Sequence, residues 1–134
     1  MIVVDASVLA NAIADDDLDG RSARDRLIDD GTLVAPDLVD VETVSVLRRR
    51  WLAGELTAQR FASAITDLED LDLTRFPVLA LMRRAYELRA NVTPYDAAYV
   101  ALAEQLECTL VTTDARLARA PGIRCCVELV LGRP

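Results

Sequence analysis

Ile2-Val3-Val4-Asp5-Ala6-Ser7 opens the chain. Three apolar β-formers run straight into a carboxylate, so the stretch reads as a buried strand with Asp5 at its C-terminal tip. Ser7 then reads as the cap of a helical pattern, Val8-Leu9-Ala10-Asn11-Ala12-Ile13. Open α/β sheets gather ligands outside the carboxyl ends of their strands, which is where Asp5 would lie. The same design returns at Cys108-Thr109-Leu110-Val111-Thr112, an interior strand that leads into Thr113-Asp114. In one parallel sheet both acids share a rim, and they face each other if their strands are neighbours.

Between these strands the pattern alternates. A helix is expected over about Arg21 to Ile28, with Ala23, Leu27 and Ile28 on one face, after an acidic loop, Asp15-Asp16-Asp17-Leu18-Asp19-Gly20. Thr32 to Ala35 reads as a strand stopped by Pro36. Asp37 can cap a helix from Leu38 to about Ala53, with Leu38, Val41, Ser45 and Leu47 inward. Thr57 opens the next helix, with Phe61, Ile65 and Leu68 at helical spacing, and Leu73 to Phe76 reads as a strand. Val78, Leu81, Met82, Ala85 and Tyr86 then mark a further helix face. Thr93-Pro94-Tyr95-Asp96 is a strong helix start, and that helix runs to about Leu106. A short helix, Ala115 to Ala120, and an extended stretch, Ile123 to Val130, complete the chain. Helices separating short apolar strands build a parallel sheet covered on both faces.

The chain has 134 residues, 52% of them apolar and 4% aromatic, which suits one domain, 1–134, with an aliphatic core. No apolar run approaches the roughly 20 residues of a membrane span, and no basic segment leads into an apolar run, so neither membrane association nor a signal peptide is expected. Three cysteines, Cys108, Cys125 and Cys126, form no disulfide framework and no zinc motif, which points to a reduced, cytoplasmic setting. The chain has no His, which removes triads and His bases. It has no Lys either, and its net charge is −7, so it does not grip nucleic acid by charge alone.

Two further acids qualify for the rim. Asp96 is the only charge between Asn91 and Ala103, on a helix apolar nearly all round, where an unpaired carboxylate is expensive. Its plainer role is to complement the helix dipole. Glu42 lies one turn inside its helix; there Asp37 and Asp40 compete with it, and a solvated helix face is the plainer role. Several carboxylates in one pocket repel one another, and a hard divalent cation resolves the conflict. Oxygen ligands without His or Cys suit Mg²⁺ or Mn²⁺, and such a cation serves phosphate-ester hydrolysis. Receiver domains and haloacid-dehalogenase-type phosphatases need a Lys that this chain lacks, and the latter need a second Asp where Ser7 stands.

Four blocks in order resemble the PIN-domain family and, more closely, its VapC-type toxins. They are Ile2-Val3-Val4-Asp5-Ala6-Ser7, Ala35-Pro36-Asp37-Leu38-Val39-Asp40-Val41-Glu42, Tyr95-Asp96-Ala97-Ala98-Tyr99-Val100-Ala101-Leu102-Ala103 and Leu110-Val111-Thr112-Thr113-Asp114-Ala115-Arg116-Leu117. The resemblance selects Glu42 over Asp37 and Asp40. It implies a three-layer α/β/α fold with a short central parallel sheet of four to five strands. It also implies a metal-dependent ribonuclease, dimeric, silenced by a cognate VapB-type antitoxin. Asp5 and Asp96 would hold Mg²⁺ (or Mn²⁺), with Glu42 and Asp114 completing the site directly or through water. Ser7 and Thr112 would donate to these acids; their plainer roles are helix capping and strand propensity. Ala115 and Arg116 follow Asp114 where some PIN nucleases carry a further acid, which favours one metal over two. Arg116 is the basic residue nearest the site in sequence and a candidate for substrate contact; Arg48 to Arg50 and Arg83, Arg84 and Arg89 form more distant clusters, and none is assigned to substrate. Trp51 and Phe61 flank a turn and suit either an apolar groove for the antitoxin or the core. The alternative to catalysis is a PIN-like interaction module.

Overall fold

The computed structural model describes residues 1–131; residues 132–134 of the expected domain lie outside the described residues. The chain runs β1 (Ile2–Val4), α1 (Ala6–Ala14), α2 (Leu18–Asp30), β2 (Leu33–Pro36), α3 (Val39–Leu52) and α4 (Ala58–Asp70). It continues with β3 (Leu73–Phe76), a 3-10 turn at Leu79–Leu81, α5 (Met82–Glu87), α6 (Pro94–Leu106), β4 (Thr109–Thr112), α7 (Ala115–Ala118) and β5 (Val127–Leu129). All strands pair in parallel, in the order β3-β2-β1-β4-β5. The three-layer α/β/α arrangement expected from the sequence is the one observed.

Strand order positions the site. From β1 the chain steps outward to β2 and β3, then returns across the sheet to β4 and continues to β5. Right-handed crossovers therefore place α1 to α4 on one face and α5 to α7 on the other. Accordingly α1 packs with α2, α3 and α4, while α6 packs with α5 and lies over β1, β2 and β4. The direction of winding reverses between β1 and β4, whose register pairs Val4 with Val111. A crevice opens at such a reversal, and Asp5 and Asp114 leave the sheet there.

The core is aliphatic. Ile2, Val3 and Val4 are buried, as are all seven residues from Ala97 to Ala103 of α6. Four of those seven are alanines, which let the helix lie close against the sheet. Its start is fixed by Thr93, whose hydroxyl accepts the Asp96 N–H, and by Pro94 in the first turn. None of the three cysteines is joined in a disulfide among the described residues. No helix among the described residues is long and apolar enough to cross a membrane.

Several local expectations are corrected. Asp5, not Ser7, caps α1: its carboxylate accepts the N–H groups of Ser7 and Val8. The acidic loop shrinks to Asp15–Asp17, because α2 begins at Leu18. The Asp15 carboxylate accepts the Asp17 and Gly20 N–H groups at 2.8 and 3.1 Å, which satisfies the helix start three residues early. Gly20 makes that turn possible, since a Cβ there would meet the Asp15 carbonyl oxygen at 1.8 Å. No side chain caps α3, so Asp37 does not. The inward line of α3 is Val39, Thr43 and Leu47, spaced by four, while Val41 faces solvent. Ile28 and Tyr86 are also exposed; Arg89 stacks 4.0 Å over the Tyr86 ring. Phe61 packs on the core edge, and Trp51 is half-exposed.

Candidate active site

Asp5 is the most buried acid of the rim, 7% exposed. One carboxylate oxygen accepts the Ser7 N–H at 2.7 Å and the Ser7 hydroxyl; the other accepts the Thr112 hydroxyl. The two hydroxyls are themselves fixed from the β4 side. Ser7 Oγ accepts the Thr113 N–H at 3.3 Å, and Thr112 Oγ1 accepts the Asp114 N–H at 3.1 Å. Each hydroxyl has one proton, and that backbone bond leaves it to point at Asp5. Ser7 and Thr112 thus tie the ends of β1 and β4 together around one carboxylate.

Glu42 reaches the rim from α3, and Glu42 Oε1 accepts the Tyr99 hydroxyl at 2.6 Å. Burial pushes the Glu42 carboxyl above its ordinary range; the Tyr99 hydroxyl opposes this, and the charges of Asp96 and Asp5 add to it. Burial and the bond to Glu42 also raise the Tyr99 phenol, so it remains a donor. Asp96, in the first turn of α6, is likewise raised by burial, then by Asp5 and Asp114, against the Thr93 hydrogen bond and Arg116. Asp114 behaves differently. Burial raises it, but hydrogen bonds from the Arg116 side chain and N–H, together with the Arg116 charge, outweigh burial and hold it below its ordinary range. Asp114 Oδ1 accepts the Arg116 N–H at 2.9 Å, and the guanidinium lies at 3.3 Å from both oxygens.

Asp5, Glu42, Asp96 and Asp114 line one open cavity of about 230 Å³. Asp37 and Asp40 do not. Asp40 is held by Arg75 of β3 at 2.8 and 3.0 Å, on another part of the surface. The sequence reading missed Tyr99, counting it with the apolar helix; its place three residues after Asp96 puts both on one helix face. Arg116, named from the sequence as a candidate for substrate contact, stands exposed at the edge of the acids with its guanidinium against Asp114.

The donor set is oxygen only, and two of its members, Glu42 and Asp96, carry raised proton affinity, first because they are buried and then because like charges share the cavity. A hard cation fits that chemistry. Among the described residues no three acidic groups close around one point at direct-ligand spacing. Mg²⁺ keeps several waters and takes one or two carboxylates directly, so its binding does not require such a closed group.

Replacing Tyr99 with Phe isolates the role of its hydroxyl. The ring remains in place, so the fold should survive with a loss of about 1–3 kcal/mol, measured by denaturant unfolding. The hydroxyl holds Glu42 down, so its removal should raise the Glu42 carboxyl further and move the acid limb of the pH–rate profile upward. An unmoved acid limb refutes this role.

The PIN domain pattern matches residues 2–123. Over 130 residues the chain is 43% identical to ribonuclease VapC9 of Mycobacterium tuberculosis, covering 97% of this chain and 98% of that one. Among solved structures it is similar to VapC20 of Mycobacterium tuberculosis, described as a Sarcin-Ricin loop cleaving toxin, with a TM-score of 0.69 and 19% identity over 92% of this chain and 97% of that one. It is also similar to VapBC2 of Rickettsia felis, solved with a DNA fragment from its promoter, with a TM-score of 0.65 and 17% identity over 96% of this chain and 98% of that one. At such identities the two structures speak for the fold. The family pattern and the VapC9 match go further: the chain belongs to the PIN-domain family and is one of its VapC ribonucleases.

Proposed function

We propose that the protein is a Mg²⁺- or Mn²⁺-dependent endoribonuclease, the toxin of a toxin–antitoxin pair, held inactive by a VapB-type antitoxin. The observation that carries this reading is the convergence of Asp5, Glu42, Asp96 and Asp114 on one cavity at the winding reversal of the sheet. The relationship to VapC ribonucleases supplies RNA as the substrate class.

The roles follow from the environments. Asp5 has its orientation locked by two hydroxyls and two backbone N–H groups, which suits a ligand that must not move. Asp96 faces it from the other layer. When bound, the cation lowers the pKa of the attacking water and neutralises the phosphate. Glu42 has one oxygen occupied by Tyr99, so its second oxygen is left to orient that water or accept its proton. Asp114, paired with Arg116, would help hold the cation directly or through water.

The same reading takes the protein as a homodimer. Net charge −7 and the carboxylate cavity favour a basic antitoxin segment, with an Arg placed among the acids. The test is a cleavage assay on single-stranded RNA with Mn²⁺ or Mg²⁺, against excess EDTA and against DNA of the same sequence. RNA cut at internal positions only with the metal is the expected result. Full cleavage in EDTA, or none under any condition, overturns the reading.

A further inference from the structure

Helix α3 turns Glu42, Ser45, Val46 and Arg49 toward the acidic cavity, a spacing of three, four and seven residues that defines one helix face. Arg49 lies about 10 Å along the helix axis from Glu42, and side chains on a helix lean toward its N-terminus, here toward Glu42. Yet the Arg49 guanidinium makes no hydrogen bond or ion pair with any described residue. Its neighbours in chain and space are spent differently. Arg50 donates to Asn11 at 2.6 Å, and Arg116 is set on Asp114. We infer that Arg49 is a substrate-positioning residue, holding a phosphate of the RNA strand next to the one being cut.

The inference rests on the ribonuclease reading and adds to it the residue that the strand meets outside the acids. A guanidinium offers five N–H donors in a planar fork that matches phosphate oxygens. Arg49 and Arg50 both lie in the last turn of α3, where positive charge complements the helix dipole, but Arg50 is held by Asn11 and of the two only Arg49 lines the cavity. Charge favours such a contact. A polyanion must settle on four carboxylates in a chain of net charge −7, and the free guanidinium of the cavity is the group that opposes this repulsion. The path continues beyond the acids. A second depression of about 210 Å³ shares Asp96 and Asp114 with the first and is lined by Arg116. A strand crossing the acids therefore has Arg49 at one end and the Arg116–Asp114 pair at the other.

The test compares wild type with Arg49→Ala, Arg49→Lys and, as control, Arg48→Ala, using a labelled pool of random single-stranded RNA. Binding is read by anisotropy in EDTA over a series of salt concentrations, and cleavage with Mn²⁺ is read as KM and kcat separately. The expected result for Arg49→Ala is a slope of log K against log salt shallower by about 0.7. KM should rise roughly tenfold with kcat within a factor of two, as for a lost contact worth one decade. Arg49→Lys should keep the slope, as its charge remains, and recover KM in part, and Arg48→Ala should match wild type. Wild type that binds and cleaves while Arg49→Ala matches Arg48→Ala overturns the inference alone. Wild type that neither binds nor cleaves RNA overturns the ribonuclease reading and this inference with it.

Discussion

Asp5→Asn should reduce RNA cleavage by at least about 10³-fold, a loss of about 4 kcal/mol in transition-state stabilisation, while the protein stays folded. Both halves follow from the same hydrogen bonds. Asn is as good an N-cap as Asp, and its amide oxygen can still accept the Ser7 and Val8 N–H groups. Its amide nitrogen then meets Thr112, whose oxygen already accepts the Asp114 N–H and can accept again. The charge, however, is gone from the most buried position of the rim. Unfolding midpoint and cleavage rate measured on the same preparation decide the matter. A folded Asp5→Asn protein with more than a tenth of wild-type activity removes Asp5 from the mechanism.

The second large effect is on stability, and it depends on pH. Glu42 and Asp96 have folded-state proton affinities raised above their ordinary values of 4.5 and 3.8. A raised carboxyl contributes stability that is fully present below its unfolded pKa and is lost as pH rises through its folded pKa. Asp114, lowered, has the opposite sign: its contribution is present above 3.8 and is lost as pH falls through its folded value. In EDTA the protein should therefore lose stability as pH climbs out of the ordinary carboxylate range, where Glu42 and Asp96 ionise beside Asp5. Mn²⁺ or Mg²⁺ should restore it at neutral pH and do little near pH 4, because the ligands must be deprotonated. At a cation concentration 100 times Kd the gain is about 2.7 kcal/mol, a rise in Tm of roughly 10 °C for a chain of this size. Thermal melts with and without cation at the two pH values isolate the site, since other titrating groups cancel in the difference. Equal stabilisation at both pH values, or none at either, is incompatible with cation binding by these carboxylates. Asp5→Asn should also make the cation-free protein more stable at neutral pH, because the Asp5 charge raises both neighbours.

The rim was legible where the chain announces it locally. Asp5 and Asp114 each end an apolar strand, and Asp96 is a lone charge in an apolar helix behind a Thr-Pro start. Glu42 was legible mainly through the family resemblance. Its rival Asp40 is taken by Arg75, 35 residues away, and nothing near Asp40 in the sequence signals that pair. Val41 was misplaced for a related reason. The apolar line of α3 runs through Val39, Thr43 and Leu47, and a threonine at its centre hides the stripe from a hydrophobic count. Ser7 was expected to cap the helix that Asp5 caps, because two good capping residues lie two positions apart and the sequence does not say where the strand lets go.

The sequence by itself determined the alternation of strands and helices, the single parallel sheet, the absence of His and Lys chemistry, and the acids that stand at strand ends. These depend on hydrophobic period and backbone preference, which act over a few neighbouring residues. Only the tertiary structure decided that Tyr99 holds Glu42, that Ser7 and Thr112 both point at Asp5, that Arg116 is spent on Asp114, and that Arg49 is left free beside the acids. The proton affinity of a carboxylate and the availability of a guanidinium depend on groups brought close from other parts of the chain, 57 residues away for Tyr99 and Glu42 and 107 for Thr112 and Asp5.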